Sequence, residues 1–261
     1  MKPNSKPAQQ PAETNKLTIS KGINAGVQRV LLYGTGGVGK TELASLLTGA
    51  LIIDLEDGSK FLNVSRVQPT TWGELRAVLQ DRTLLEQFTA VVIDSLTRAE
   101  DMAIQWVVEN VPHEKGHKVS NIEDFGFGKG MTHVYKSFLE LLQDLDAVIR
   151  SGKNVVCVCH DCVTTVPNPA GDDWIRYEPR LQSPPSGKNS VRHRVKEWVD
   201  HLLFVAFDQY VEDGKAKGGG TRTIYPTEMP SWWAKSRKLS DPIPYERGSA
   251  ALWDQLFAKG Q

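Results

Sequence analysis

The segment Val30-Leu31-Leu32-Tyr33-Gly34-Thr35-Gly36-Gly37-Val38-Gly39-Lys40-Thr41 constrains this chain more than any other. An apolar run passes directly into a glycine-rich loop that ends in Lys-Thr, the G-x-x-x-x-G-K-[ST] pattern. Such a run reads as a buried parallel strand, and the loop opens a helix. Glycine permits backbone angles that a Cβ would forbid, so successive N–H groups can converge on one anion, and the helix adds the positive end of its dipole. Gly34, Thr35, Gly36, Gly37, Val38, Gly39, Lys40 and Thr41 are therefore the expected ATP-binding set. Lys40 is expected to reach the β- and γ-phosphates and the Thr41 hydroxyl to hold Mg²⁺, which takes oxygen ligands. Gly34, Gly36 and Gly39 also spell the shorter dinucleotide pattern G-x-G-x-x-G, but Lys40-Thr41 directly after the last glycine favours a nucleoside triphosphate.

Three further apolar runs have the same character: Leu51 to Ile53, Ala90 to Ile93 and Asn154 to Cys159. They are followed by the acids Asp54, Glu56 and Asp57, by Asp94, and by His160. Helical patterns separate them. Thr71-Trp72-Gly73-Glu74 is a capping box opening a helix to about residue 79, residues 96–110 form another, and residues 132–150 repeat apolar side chains at helical spacing. Alternating buried strands and helices predict an α/β fold with a mostly parallel central sheet and helices on both faces, whose ligands sit at the carboxyl ends of the strands. Residues 201–211 and 221–225 predict a carboxyl-terminal β-hairpin.

At those strand ends Asp94 is the expected acid of the magnesium shell, acting through water. Glu56 is the leading candidate to activate water, with Asp54 and Asp57 competing for the role. His160 is placed to contact the γ-phosphate. Cys157, Cys159 and Cys162 offer no paired C-x-x-C, and strand geometry sends His160 to the face opposite Cys157 and Cys159, so buried thiols are expected rather than zinc.

Two long segments read as loops, 111–130 and 161–189. The second and the helix after it carry Arg176, Arg180, Lys188, Arg192, Arg194 and Lys196 among Trp174 and Tyr177, a mixture suited to the phosphates and bases of a nucleic-acid strand. Lys115 and Lys118 in the first segment form a second candidate.

Taken together, the phosphate loop, Ile53-Asp54-Leu55-Glu56, Val92-Ile93-Asp94-Ser95, the strand ending Cys159-His160, residues 125–130 and residues 196–200 resemble the RecA-like P-loop NTPase core. They look most like phage AAA-type nucleotide-binding proteins related to single-strand annealing recombinases. The resemblance implies an ATPase using ATP and Mg²⁺ and stimulated by DNA. Glu56 would activate water with Lys40 and His160 beside it, and residues 112–129 and 161–196 would be mobile DNA-binding loops. Lys235 and Arg237 would reach the γ-phosphate of a neighbouring subunit in a homo-oligomer, a ring or a filament. The implied function is single-stranded-DNA binding that promotes annealing or homologous recombination, with a single-strand-binding protein as a further implied partner, in a bacterial host cytoplasm if phage-encoded. The reading from another class is a nucleotide-dependent protein-binding switch without DNA contact.

Composition bounds the rest. With 31 basic and 31 acidic residues in 261, the net charge is zero and any DNA-facing surface must be local. Residues 1–16, rich in Pro, Gln, Asn and Lys, predict a disordered tail, leaving 17–261 as one ATPase domain. No apolar run of membrane-spanning length is present.

Overall fold

The computed structural model describes residue 21 and residues 26–257; the expected amino-terminal tail lies outside them. The strands are β1 (Arg29–Gly34), β2 (Ala50–Asp54), β3 (Ser65–Val67), β4 (Ala90–Asp94), β5 (Asn154–Val166), β6 (Trp174–Pro179), β7 (His201–Phe207), β8 (Tyr210–Glu212), β9 (Lys215–Lys217), β10 (Arg222–Tyr225) and β11 (Ile243–Pro244). The helices are α1 (Lys40–Ser45), α2 (Trp72–Gln80), α3 (Arg82–Leu85), α4 (Leu96–Asn110), α5 (Lys129–Arg150), α6 (Val191–Trp198) and α7 (Ala251–Phe257).

Among the described residues the main sheet runs β11-β10-β7-β1-β5-β4-β2-β3. From β7 to β3 all neighbours are parallel. β10 and β11 close one edge in antiparallel fashion. The predicted pairing of residues 201–211 with 221–225 thus appears as β7 against β10, while β8 and β9 form a separate two-stranded ribbon between them.

The strand period of two divides the core. Leu31 and Tyr33 of β1, Ile93 of β4 and Cys157 and Cys159 of β5 pack with Leu75 of α2, Ala99 of α4 and Leu141 of α5. Val30, Leu32, Val92, Val156 and Val158 point the other way, onto Leu43 of α1 and Leu252 of α7. Both faces are covered, as continuous apolar strands require. The three cysteines are free, and Cys157 and Cys159 are buried. The capping box at Thr71 forms as expected: Glu74 N donates to Thr71 Oγ1 at 3.2 Å while the Glu74 carboxylate accepts from Thr71 N.

One expectation is corrected. β5 does not end at His160 but continues to Val166, and it pairs Asp161 to Val166 with β6 in antiparallel register. Much of the segment expected to be irregular is therefore a β-hairpin standing above the parallel sheet. The polar residues Asp161, Thr164 and Thr165 obscured this in the sequence, because a strand outside the core need not be apolar. No helix among the described residues is long and apolar enough to cross a membrane.

Candidate nucleotide site

The carboxyl ends of β1, β2 and β4 and the middle of β5 meet at one rim. Gly34 closes β1 where only glycine fits: a Cβ there would lie 1.9 Å from the Val205 carbonyl oxygen of β7, and its φ is +151°. The loop then turns into α1, whose first residue, Lys40, is buried. Lys40 Nζ donates to Gly34 O at 2.6 Å and to Thr35 O at 3.0 Å, so the ammonium is held at the mouth of the loop. Burial lowers its pKa, and the carboxylates of Asp161 and Asp94 pull in the opposite direction.

Beside it, Thr41 Oγ1 donates to Asp94 Oδ2 at 2.5 Å. Asp94 is almost fully buried, and burial pushes its carboxyl up to about 6, with Glu56 and Asp54 acting in the same direction. A buried carboxyl displaced in this way is one that a cation would restore to its ionised form. Gly58 adjoins the pair: a Cβ on it would come into ordinary contact, 3.7 Å from Thr41 Oγ1 and 4.0 Å from Asp94 Oδ2. A hydroxyl and a buried acid side by side are oxygen donors of the kind Mg²⁺ takes.

The turn after β2 distinguishes the three acids. Asp54 is buried, and its carboxylate accepts from Glu56 N (3.2 Å), Gly58 N (3.1 Å), Ser59 N (3.0 Å) and Ser59 Oγ (2.6 Å). Burial alone would raise its pKa, but these four bonds together hold it below the ordinary value. Asp57 is exposed and accepts from Gln68 Nε2. Glu56 alone faces the rim: its Oε1 accepts from the Ser95 hydroxyl and its Oε2 lies 3.0 Å from His160 Nε2. The hydrogen bond with His160 lowers the Glu56 pKa, against the effect of burial. Ser95 also caps α4 through Arg98 N, so one hydroxyl ties that helix to the acid. Asp161 belongs to the rim as well, with Oδ2 3.4 Å from Thr35 Oγ1; the sequence reading missed it, and its position next to His160 is the signal that could have found it.

The remaining candidates disperse. Arg176 and Arg192 turn inward and share buried Glu178, each with a contact of 2.6 Å. Both are half-buried, and the pairing follows from the acid, because a buried carboxylate needs its cations. Lys196 pairs with Glu228 at 2.9 Å and covers the Trp233 ring. Arg194 lies 3.7 Å from Glu197 on the exposed face of α6. Arg180, Lys188, Lys115 and Lys118 are exposed. Lys235 pairs its backbone with Leu202 near the start of β7, and Arg237 Nε lies 3.3 Å from Asp200. Gly34 is in register with Val205, so Asp200 lies five residues, roughly 16 Å, down the strand direction from the loop. Lys235 and Arg237 are thus at the end of the sheet opposite their own phosphate loop.

A family model described as an AAA domain matches residues 27–238. That span contains all of the rim residues above. Comparison with curated proteins gives no match.

Proposed function

Because the chain belongs to the AAA-domain family, which carries nucleotide binding and ATPase chemistry, we propose that it is a RecA-like, Mg²⁺-dependent ATPase whose nucleotide state sets its grip on single-stranded DNA. The observation that carries the ATPase assignment is Glu56 held between Ser95 and His160, at the rim that also bears Lys40, Thr41 and Asp94. The RecA-like reading rests on β5 standing between β1 and β4, which brings His160 up between the phosphate loop and the Asp94 strand.

Glu56 is the base. It takes a proton from water as that oxygen attacks the γ-phosphorus and the bond to the β-phosphate oxygen breaks, releasing ADP and phosphate. Ser95 and His160 fix its carboxylate in advance, so the reaction requires little reorganisation. Lys40 supplies positive charge at the phosphates from a position set by two carbonyls. Thr41 and Asp94 would hold Mg²⁺, which when bound offsets charge on the phosphate oxygens. His160 also reports on the site. Its backbone carbonyl accepts from Arg180 N at 2.8 Å, linking the γ-phosphate position to the segment that follows β6.

DNA binding and annealing rest on the basic residues that stay exposed, Lys115, Lys118, Arg180, Lys188 and Arg194, and on the resemblance to annealing recombinases. Lys235 and Arg237, remote from their own loop, suit action on a neighbouring subunit in an oligomer. The test is Glu56→Gln. It should retain ATP while releasing no phosphate, and oligonucleotide affinity of the unaltered protein should differ between ATP and ADP. Phosphate release at the wild-type rate would remove Glu56 as base. An affinity indifferent to nucleotide would remove the coupling.

A further inference from the structure

The rim described above lies to one side of the phosphate loop. Asp94 and His160 stand on β4 and β5 and Glu56 on the turn after β2, so all three are on the same side of β1 in the sheet. The other side is built from β7, β10 and β11, and it holds a cation that the ATPase chemistry leaves unexplained. Arg222 of β10 has its Nε and Nη1 buried and without a hydrogen-bond partner, and it forms no ion pair among the described residues. Other half-buried arginines of this protein do find acids: Arg76 meets Asp144 at 2.6 Å, and Arg176 and Arg192 share Glu178. A desolvated guanidinium without an anion is costly, and such an orphan calls for an explanation.

The rings around Arg222 supply only part of it. Its guanidinium carbon lies 5.2 Å from the centre of the Phe207 ring and 5.6 Å from that of Tyr245. Ring faces attract the charge but give the buried N–H groups no oxygen acceptor. Tyr245, directly after β11, is itself fastened to the loop: its hydroxyl donates to Gly39 O at 2.8 Å, and its backbone N–H donates to Arg222 O at 2.8 Å. A Cβ on Gly39, where φ is +99°, would lie 2.7 Å from the Tyr245 hydroxyl and 3.3 Å from Arg222 Nη1. The guanidinium therefore abuts the last glycine of the loop. Glu42, the acid on the first turn of α1, pairs with Arg247 instead, at 3.3 Å.

We infer that Arg222 holds the α-phosphate of the bound nucleotide, with Tyr245 keeping Gly39 and the guanidinium side by side. The inference rests on the ATP reading above and adds the nucleoside end of the site. A triphosphate with its γ-phosphate toward Glu56 and His160, and its β-phosphate in the loop at Lys40, runs toward β7 and β10 with its third phosphate. That phosphate brings the charged oxygens that the two N–H groups lack, and a guanidinium is the side chain best shaped to meet them. Tyr245 lies beyond residues 27–238, the span of the family match, so this part of the site draws on the chain outside it.

The experiment compares the full chain with Arg222→Met, which keeps an unbranched side chain against the rings but removes the charge. Without nucleotide the variant should melt at or above the wild-type temperature, because an unpaired buried charge has been removed. Displacement of a fluorescent ATP analogue in the presence of Mg²⁺ should show the affinities for ATP and for inorganic tripolyphosphate both falling by about 10- to 150-fold, the span of one lost hydrogen bond to a charged group. Arg222→Lys, which keeps the charge, should lose less. A lower melting temperature without nucleotide, together with unchanged affinity, would make Arg222 a structural cation and overturn the inference. A loss for ATP but not for tripolyphosphate would put the contact on the ribose or base and overturn it as well, and so would equal losses in the two variants. Failure of the unaltered protein to bind either polyphosphate would remove the ATP reading itself, whereas wild-type affinity in Arg222→Met would remove the inference alone.

Discussion

The turn that presents Glu56 makes a demanding test, because its anchor is a residue with no part in the chemistry. Asp54→Asn keeps the shape of the side chain but leaves one acceptor oxygen where there were two, and turns an NH₂ toward donors that previously met a carboxylate. In the native turn Oδ1 accepts from Glu56 N and Gly58 N, and Oδ2 from Ser59 N and Ser59 Oγ. With the NH₂ in the Oδ1 position both backbone bonds are lost; with it in the Oδ2 position only the Ser59 N bond is lost, because the Ser59 hydroxyl can accept instead of donate. At about 1.5 kcal/mol for each bond to a charged acceptor, the turn loses roughly 1.5 to 3 kcal/mol, a factor of about 10 to 150 in its closed-to-open ratio. The turn lies at the rim and can open toward water, so most of the loss should appear locally rather than as global unfolding. Lys40 is held by the Gly34 and Thr35 carbonyls and does not depend on the turn. We therefore expect kcat for ATP to fall about 10- to 100-fold while KM changes by less than about threefold. Phosphate release over an ATP titration, with binding of a fluorescent ATP analogue measured separately, reads both quantities. Asp57→Asn is the control and should change neither, because Asp57 accepts from Gln68 outside the site. If analogue affinity in Asp54→Asn fell as far as kcat, or if kcat were unchanged, the assignment of Asp54 as the positioner of Glu56 would be wrong.

Two other consequences can be measured without a nucleotide. Gly34→Ala places a Cβ 1.9 Å from the Val205 carbonyl oxygen at the centre of the sheet, so β1 and β7 must separate; a loss above about 4 kcal/mol is expected, seen in denaturant unfolding or as failure to accumulate soluble protein. Glu100 is buried on α4, and burial pushes its carboxyl up to about 7 from the ordinary 4.5. The folded protein holds that proton more tightly than the unfolded chain does, so the stability it contributes is present below about pH 4.5 and lost as pH rises through about 7. One oxygen is enough for Gln182 N, so Glu100→Gln should be more stable than wild type at about pH 8, by at most roughly 3 kcal/mol, and equal to it near pH 4.5. Equal stability of the two proteins at both pH values would contradict the buried, displaced carboxyl.

How much of this was readable beforehand depends on the range of the forces involved. The phosphate loop, the four apolar strands, the capping box at Thr71 and the long helix ending at Arg150 are set by residues within a few positions of one another, through backbone angles, period and local hydrogen bonds. These were legible in the chain alone, as was the opposition of His160 to Cys157 and Cys159, which follows from the strand period. The continuation of β5 past His160 was not, because it depends on pairing with β6 across an intervening turn. Arg176 and Arg192 looked like surface cations until Glu178, buried beneath them, drew both inward. Among Asp54, Glu56 and Asp57 the sequence offered three similar carboxylates. The fold made one an anchor, left one exposed and faced one toward Ser95 and His160, because hydrogen bonds to groups distant in sequence, and not the acid's own chemistry, decide where a carboxylate points.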